Sequence, residues 1–217
     1  MSFYDAAKKI IKPIMKALFR VAVTGGERVP MEGSLLVCAN HTSLFDPVLL
    51  GAFLPRQFHF MGKKELFKIP VLSSFIRAVG AFPVDRKGSD VGAIKTTISY
   101  VKDGAAVSVF PQGTRCPGVD PACTEVKSGV GMIACRAGCD VLPVFIKTKK
   151  NRVRLFGKIE LIVGEPIKNA EFGFDEPGRK DYDRAAKMIF SEICSLGGYE
   201  YETGESGTLP RTPPENF

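Results

Sequence analysis

A histidine and an aspartate stand five residues apart in the stretch "CANHTSLFDP", residues 38–47. His41 is one of only two histidines in the chain, and Asp46 is followed directly by Pro47. Five residues turn an ideal helix by about 140°, so these two side chains cannot share one helical face. A turn ahead of a helix solves the problem, with Ser43 or Asp46 capping the helix and Pro47 in its first turn. The Asp46 carboxylate would then meet the His41 imidazole.

A pair of this kind can act as a general base. A carboxylate on one ring nitrogen fixes the tautomer and raises the basicity of the other nitrogen. A neutral imidazole so held takes a proton from a substrate hydroxyl, which accelerates a reaction by roughly a hundredfold to ten-thousandfold. There is no G-x-S-x-G motif, and a substrate hydroxyl makes a protein nucleophile unnecessary. The alternative is that His41 is a satisfied polar residue at a strand end and Asp46 only a helix cap.

Basic residues elsewhere in the chain could bind phosphate. In "FPQGTR", residues 110–115, Gly113 lets the backbone approach an anion and Arg115 offers a planar guanidinium. Arg86 in "FPVDR" is a second guanidinium, and Lys127 stands just before a helix whose amino end favours anions. Each of these residues alone is weak evidence for a phosphate site, because basic side chains on a protein surface are usually only solvated. Together they predict a site for a phosphorylated substrate.

The elements that must position these residues alternate along the chain. Short apolar runs typical of strands, such as "SLLVCAN" and "AAVSVF", are separated by helical stretches. This pattern predicts an α/β fold with a mixed, largely parallel sheet flanked by helices. Near the carboxyl end, "VRLFGKIELIVGEPI" predicts a hairpin-like pair of strands and "DYDRAAKMIFSEICSL" a closing helix. Ligands gather at the carboxyl ends of parallel strands. The polar residues around His41, Arg86 and Arg115 each follow a predicted strand, so we expect them to form one site.

The chain's first part predicts an amphipathic helix over residues 3–23. Apolar residues recur at steps of three and four, and a basic stripe at steps of four contains Lys8, Lys12, Lys16 and Arg20. We therefore expect residues 1–24 to form a membrane-associating helix on anionic lipid, residues 25–196 a catalytic domain and residues 197–217 a flexible tail that is disordered or loosely docked. The alternative for the helix is ordinary packing with a solvated face.

The composition of the chain limits which other classes of protein it can belong to. The chain has 217 residues, 45% of them hydrophobic, which excludes disorder for most of its length. A net charge of +7 suits an anionic partner, but no RNA-binding aromatic signature or helix-turn-helix pattern points to nucleic acid. Six cysteines without a C-x-x-C pair, and no signal peptide, favour reduced thiols in the cytosol and no metal site.

Four blocks resemble the motifs of the 1-acylglycerol-3-phosphate acyltransferase family of phospholipid synthesis. They stand in that family's order: "NHTSLFD" (40–46), "GAFPVDR" (80–86), "FPQGTR" (110–115) and "VLPV" (141–144). The stretch "MGKKELFKIPVLSSFIRAVG" is also similar, so the resemblance covers roughly residues 29–167. It implies a glycerolipid acyltransferase-like fold.

The resemblance implies a peripheral or monotopic enzyme on the cytoplasmic face of the cell membrane. Such an enzyme acylates the free sn-2 hydroxyl of lysophosphatidic acid, giving phosphatidic acid, with acyl-CoA or acyl carrier protein as acyl donor and without a cofactor or metal. His41 would be the general base and Asp46 would orient it. The acceptor phosphate would be bound by Arg86, Gly113, Thr114 and Arg115, with Lys127 beside them. An apolar helix would hold the acyl chain through Leu66, Phe67, Val71 and Phe75.

Some alternatives stay open at this level. The acceptor could be a lyso-ornithine lipid, glycerol 3-phosphate or another lysophospholipid, or the protein could be a non-catalytic lipid-binding relative. Gln112 stands where the family usually has glutamate, which could shift the choice of acceptor, reduce activity or be harmless. Neither the acyl donor, the preferred chain length nor the oligomeric state follows from the sequence.

Overall fold

Seven strands form one sheet in the computed structural model, which describes residues 3–84, 91–173 and 176–202. The strands are β1 (Arg20–Thr24), β2 (Leu35–Ala39), β3 (His59–Lys63), β4 (Ala81–Val84), β5 (Ala106–Val109), β6 (Asp140–Thr148) and β7 (Lys158–Val163). The α-helices are α1 (Phe3–Leu18), α2 (Asp46–Phe53), α3 (Pro70–Ala78), α4 (Val91–Lys102), α5 (Gly129–Ala137) and α6 (Arg179–Leu196).

The sheet is mixed and largely parallel, as predicted. Its strand order is β1-β7-β6-β2-β5-β3-β4. All neighbouring strands are parallel except β6 and β7, which are antiparallel. Parallel strands need long crossover connections, and here most of these connections contain helices that cover the sheet.

Strand β2 shows why the sheet has a core on each face. All five of its residues are buried, and successive side chains point to opposite sides. Leu35 and Val37 pack on the side of α1 and α2, whereas Leu36 and Cys38 pack on the side of α4, α5 and α6. A strand buried on both faces carries a continuous apolar run instead of an alternating one, which explains the sequence "LLVCA".

Two neighbouring strands bring the predicted site together. β2 and β5 are adjacent and parallel, with Leu36 opposite Val107 and Cys38 opposite Val109. Their carboxyl ends therefore lie side by side at one edge of the sheet. The loop that carries His41 and the loop that carries "FPQGTR" leave this edge next to each other.

The amino-terminal prediction was wrong in its extent. The helix ends at Leu18 instead of residue 23, and Arg20–Thr24 forms the edge strand β1, paired in parallel with β7. Val21, Val23 and Thr24 are β-branched and favour extended backbone. The segment 1–24 is thus partly built into the sheet.

Near the carboxyl end, the predicted strand pair needs correction, and the described part of the predicted tail takes the docked form. The predicted hairpin-like pair over "VRLFGKIELIVGEPI" contains only one strand, β7, whose antiparallel partner is the long strand β6. In the predicted tail, the Tyr199 ring packs at a tilt against Phe145 and its hydroxyl accepts a hydrogen bond from Asn151, while Tyr201 packs edge-on against Phe190. Residues 197–202 are therefore docked through these aromatic contacts, and residues 203–217 lie outside the described part of the chain.

Candidate active site

The His41–Asp46 contact predicted from the sequence is present. His41 Nδ1 lies 2.8 Å from Oδ2 of Asp46, whose carboxylate is fully buried. An ionised carboxylate only accepts hydrogen bonds, so Nδ1 must carry the proton. The lone pair of the imidazole is therefore on Nε2, which makes no hydrogen bond to any described residue.

Asp46 binds the loop ahead of its helix and does not cap the helix. Its Oδ2 also accepts the amide hydrogens of Thr42 at 2.6 Å and Ser43 at 2.7 Å. The cap position belongs to Phe45, which has no side-chain cap bond, so the capping predicted for Ser43 or Asp46 was wrong. Because Asp46 is itself the first helical residue, its carboxylate points back to the loop. Pro47 stands in the first turn, as predicted.

The loop that follows β5 holds the backbone of His41 from both sides. The His41 amide donates to Gln112 Oε1 at 2.7 Å, and its carbonyl accepts the Cys116 amide hydrogen at 2.8 Å. The imidazole stacks on Phe110, with ring centroids 4.0 Å apart and planes 15° from parallel. These contacts fix the position of the ring together with Asp46.

Gln112 is a buried link between two loops. Besides accepting from His41, its Nε2 donates to Thr124 Oγ1 at 2.8 Å, and that hydroxyl donates to the Pro121 carbonyl at 2.7 Å. A glutamate could accept from His41 in the same way, but the Thr124 hydroxyl would have to turn from Pro121 to donate to it. The structure therefore gives Gln112 a positioning role, with both ends of its amide occupied by protein groups.

His41 lies where two cavities meet. The first, here called the α2–α3 cavity, has a volume of about 470 Å³ and is lined by residues of α1, α2, β3 and α3. The second, the α4–α5 cavity, measures about 520 Å³ and is lined by residues of β5, α4 and α5. Both are walled mainly by apolar side chains, and both include His41, Pro47, Phe60, Met61 and Phe110.

The residues predicted to bind phosphate are divided between these cavities. Arg115 lines the α2–α3 cavity, whereas Gly113, Thr114 and Lys127 line the α4–α5 cavity. Arg86 lies outside the described residues. The described residues of the predicted phosphate site are therefore spread over both cavities, which meet at His41.

The turn at Gly113 has a structural reason of its own. Gly113 has a φ of +68°, a conformation that side chains disfavour, and its amide already donates to the Phe110 carbonyl at 2.9 Å. This amide is thus unavailable to an anion. The exposed Lys127 ammonium lies 3.3 Å from Glu125, so an incoming phosphate would compete with that carboxylate.

Comparison with known proteins supports an acyltransferase. Residues 20–147 match the family model described as Acyltransferase. The chain is 34% identical to the 1-acyl-sn-glycerol-3-phosphate acyltransferase of Bacillus subtilis over 78% of this chain and 84% of that protein. The chain belongs to the 1-acylglycerol-3-phosphate acyltransferase family.

Two further relatives agree with this placement. The Streptococcus pneumoniae 1-acyl-sn-glycerol-3-phosphate acyltransferase is 35% identical over 54% of this chain and 44% of its own length. The crystal structure of the 1-acyl-sn-glycerophosphate acyltransferase PlsC from Thermotoga maritima superposes with a TM-score of 0.63 at 30% identity, covering 88% of this chain and 80% of that one. Both the family and the fold implied by the four motifs are confirmed.

The acyl-chain residues expected for this acyltransferase are only partly placed. Leu66 lines the α2–α3 cavity. Phe67 is not among the lining residues, and its ring lies 4.9 Å from the Arg77 guanidinium. Val71 and Phe75 belong to α3, but their side chains are not among those that the structure describes.

Other groups of the acyltransferase lie away from the His41–Asp46 pair. His59 lines neither cavity, and its Nδ1 lies 3.1 Å from the Gly80 carbonyl. Burial lowers the pKa of His59 from its ordinary value.

Among the described residues, no group of three His, Cys, Asp or Glu side chains is placed to hold a metal ion. None of the described helices has the length and apolar character of a membrane span.

Proposed function

We propose that this acyltransferase moves a fatty acyl group from an acyl thioester to the free sn-2 hydroxyl of 1-acylglycerol 3-phosphate, giving phosphatidic acid. The observation that carries the proposal is the place of His41, at the junction of two largely apolar cavities with Nδ1 bound to Asp46. Two lipid-bearing substrates can reach one general base in this arrangement. The names of the relatives support the same acceptor.

The proton on Nδ1 of His41 leaves the lone pair on Nε2, and this determines the steps of the acyl transfer. Nε2 of His41 takes the proton of the acceptor hydroxyl as that oxygen attacks the thioester carbonyl. When the tetrahedral intermediate collapses, the carbon–sulfur bond breaks and Nε2 returns the proton to the leaving thiolate. The Asp46 carboxylate stabilises the imidazolium that exists between these steps. The new ester and the free thiol are the products.

The test of this function is a panel of acceptors. Purified protein is mixed with palmitoyl-coenzyme A or palmitoyl-acyl carrier protein and, in turn, lysophosphatidic acid, glycerol 3-phosphate, lysophosphatidylcholine and a lyso-ornithine lipid. Mass spectrometry should show phosphatidic acid formed fastest. Faster acylation of another acceptor would replace the proposed substrate, and no acylation with either donor would favour the non-catalytic relative.

We further propose that α1 rests on an anionic membrane surface, at the cytoplasmic face of the cell membrane. Phe3, Ile10 and Ile14 are 60%, 63% and 49% exposed, and their spacing of seven and four residues forms one stripe. The basic residues are not all turned to solvent, since Lys8 donates to the Leu54 carbonyl and Lys12 lies 5.7 Å from the Phe53 ring. The exposed apolar stripe therefore supports docking better than the charge does.

The double variant Ile10→Ser, Ile14→Ser should lose binding to vesicles. Each change removes an exposed apolar side chain that would enter the lipid, and full burial of such a side chain contributes about 1.5–3 kcal/mol. We expect at least a tenfold weaker partition onto vesicles of equal parts phosphatidylglycerol and phosphatidylcholine in a sedimentation assay. Met31→Ser is the control, because Met31 is an apolar side chain of similar exposure, 59%, that lies outside α1 in the segment before β2. Equal binding by both variants would reject the docking surface.

A further inference from the structure

We infer that the loop between β6 and β7, residues 149–157, makes a second contact with an anionic lipid surface, beside the active site. The inference rests on the proposed function, because a lipid acceptor has to leave a membrane before it reaches His41. It goes beyond the docking proposed for α1, since it assigns a separate segment, here called the β6–β7 loop. This contact would place the edge of the sheet that carries His41 against the lipid.

The β6–β7 loop presents two neighbouring apolar side chains to solvent. Leu155 is 65% exposed and Phe156 is 68% exposed. Phe156 also has a φ of +60°, a backbone conformation that bulky residues rarely adopt. Neither burial nor backbone preference therefore accounts for a phenylalanine at this position. Insertion of its ring into lipid would account for it.

The same loop carries a positive charge that suits anionic lipid. Four of its nine residues are Lys or Arg, and none is acidic. These four side chains are all exposed: Lys149, Lys150, Arg152 and Arg154. None of them forms an ion pair with a carboxylate among the described residues. Such cations add electrostatic attraction to the burial of apolar side chains at an anionic bilayer.

Backbone hydrogen bonds hold the β6–β7 loop between α1 and the loop that follows β5. The Phe156 amide donates to the Leu18 carbonyl at 2.7 Å, at the end of α1. On the other side, the Asn151 carbonyl accepts the Gly118 amide hydrogen at 2.8 Å. The loop is thus fixed next to the helix whose exposed stripe contains Ile14. A loop that is already ordered loses less conformational entropy when it binds.

The β6–β7 loop also lies at the same edge of the sheet as His41. Strand β6 is parallel to β2, with Ala39 opposite Val144, so the carboxyl ends of the two strands lie side by side. The side chain of Asn40, which directly precedes His41, joins these ends. It accepts the Ile146 amide hydrogen at 2.7 Å and donates to the Ile146 carbonyl at 3.2 Å. A membrane that contacts this loop therefore lies at the edge where the acceptor has to reach its base.

A second exposed apolar pair lies at this edge. Leu44 and Phe45 follow His41 in the loop before α2, and both are exposed. The Phe45 ring packs edge-on against the buried Phe19, with ring centroids 5.3 Å apart. Phe19 directly follows Leu18, whose carbonyl binds the β6–β7 loop. The two apolar pairs are therefore connected through the end of α1.

An anionic lipid surface suits this combination better than a second copy of the chain. Facing β6–β7 loops from two copies would bring like charges together, whereas lipid headgroups neutralise the cations. A water-soluble polyanion would pair with the cations but would leave Leu155 and Phe156 exposed to water. Lipid provides both an anionic layer and an apolar layer.

The first test is the double variant Leu155→Ser, Phe156→Asn. Asparagine tolerates a positive φ better than phenylalanine, so the variant should keep or gain stability in urea denaturation. Its partition onto vesicles of equal parts phosphatidylglycerol and phosphatidylcholine should nevertheless fall by about tenfold or more in a sedimentation assay. Loss of binding without loss of stability excludes misfolding as the cause. Met31→Ser, an exposed apolar residue outside the loop, should bind like the parent.

The double variant Lys149→Gln, Lys150→Asn tests the charge. Binding to the anionic vesicles should weaken by about tenfold, and binding to pure phosphatidylcholine vesicles should change by less than about twofold. High salt should remove the difference between this variant and the parent. Lys95→Gln with Lys102→Gln is the matched control, because it removes the same charge from exposed positions of α4. Equal loss of binding in the control would show that only net charge matters, which would overturn the inference.

Kinetics of the Leu155→Ser, Phe156→Asn variant should separate two forms of the acceptor. The apparent KM for lysophosphatidic acid embedded in vesicles should rise by about tenfold, in line with the weaker partition. The KM for hexanoyl-lysophosphatidic acid dissolved as monomers should stay close to that of the parent.

Two results would overturn the inference. One is vesicle binding equal to that of the parent in the Leu155→Ser, Phe156→Asn variant. The other is parental vesicle binding with a raised KM for palmitoyl-acyl carrier protein, which would assign the loop to the protein donor. If the parent acylated none of the acceptors, the proposed function would fail, while sedimentation would still report whether the β6–β7 loop binds anionic lipid.

Discussion

Replacing His41 with alanine should lower kcat by a hundredfold to ten-thousandfold, the usual contribution of a positioned general base. The reason is the environment of the residue, whose Nδ1 is bound to Asp46 and which lines both cavities. His59, the chain's other histidine, lines neither cavity, so no described residue offers a second imidazole for the proton transfer. Initial rates with palmitoyl-coenzyme A and lysophosphatidic acid provide the measurement. The KM values should change far less than kcat.

Two further variants make this result specific. His41→Gln keeps a side chain beside Phe110 and should be as inactive as His41→Ala, which separates loss of the base from loss of the stacking contact. His59→Gln changes the chain's other histidine, which contacts the Gly80 carbonyl, and should keep activity within a few-fold of the parent. A folded His41→Ala variant with parental activity would exclude the general-base role.

The sequence was sufficient to predict the pair because the pair is local. Five residues, a proline and a helix start constrain how His41 and Asp46 can meet, and no distant contact is needed for that step. The sheet was predictable for a similar reason, since the continuous apolar run of β2 and the periodicity of the helical stretches are both local features of the sequence. The capping prediction was wrong because the carboxylate of Asp46 has two possible sets of amides to bind, before and after it.

The support of the catalytic loop was not predictable from spacing. Gln112 and Cys116 reach the His41 backbone from a loop about seventy residues away, and only the adjacency of β2 and β5 creates those contacts. The division of Arg115 and Lys127 between two cavities depends in the same way on how loops pack. The only sequence signal for this support was that Phe110 and Gln112 belong to one motif, "FPQGTR".

Asp46→Asn is the second variant with a large expected effect. The asparagine oxygen can keep the three hydrogen bonds that Oδ2 accepts, from His41, Thr42 and Ser43. Its amide group must then occupy the place of Oδ1, which is buried and has no partner among the described residues, at a cost of about 1–3 kcal/mol. The imidazolium also loses the negative charge that stabilises it. We expect kcat to fall by on the order of a hundredfold or more, with the protein still folded.

A double-mutant cycle distinguishes a catalytic partner from a structural one. If Asp46 acts on the reaction through His41, then Asp46→Asn should cost little further activity in a protein that already carries His41→Ala, because the two residues work as one unit. The stability loss from the buried amide should remain in the double variant, as measured by urea denaturation. If Asp46 serves only to hold the loop, kcat per folded molecule should be unaffected by Asp46→Asn alone, while the free energy of unfolding still falls. Activity and stability would then separate, and the carboxylate would be assigned to the fold instead of the chemistry.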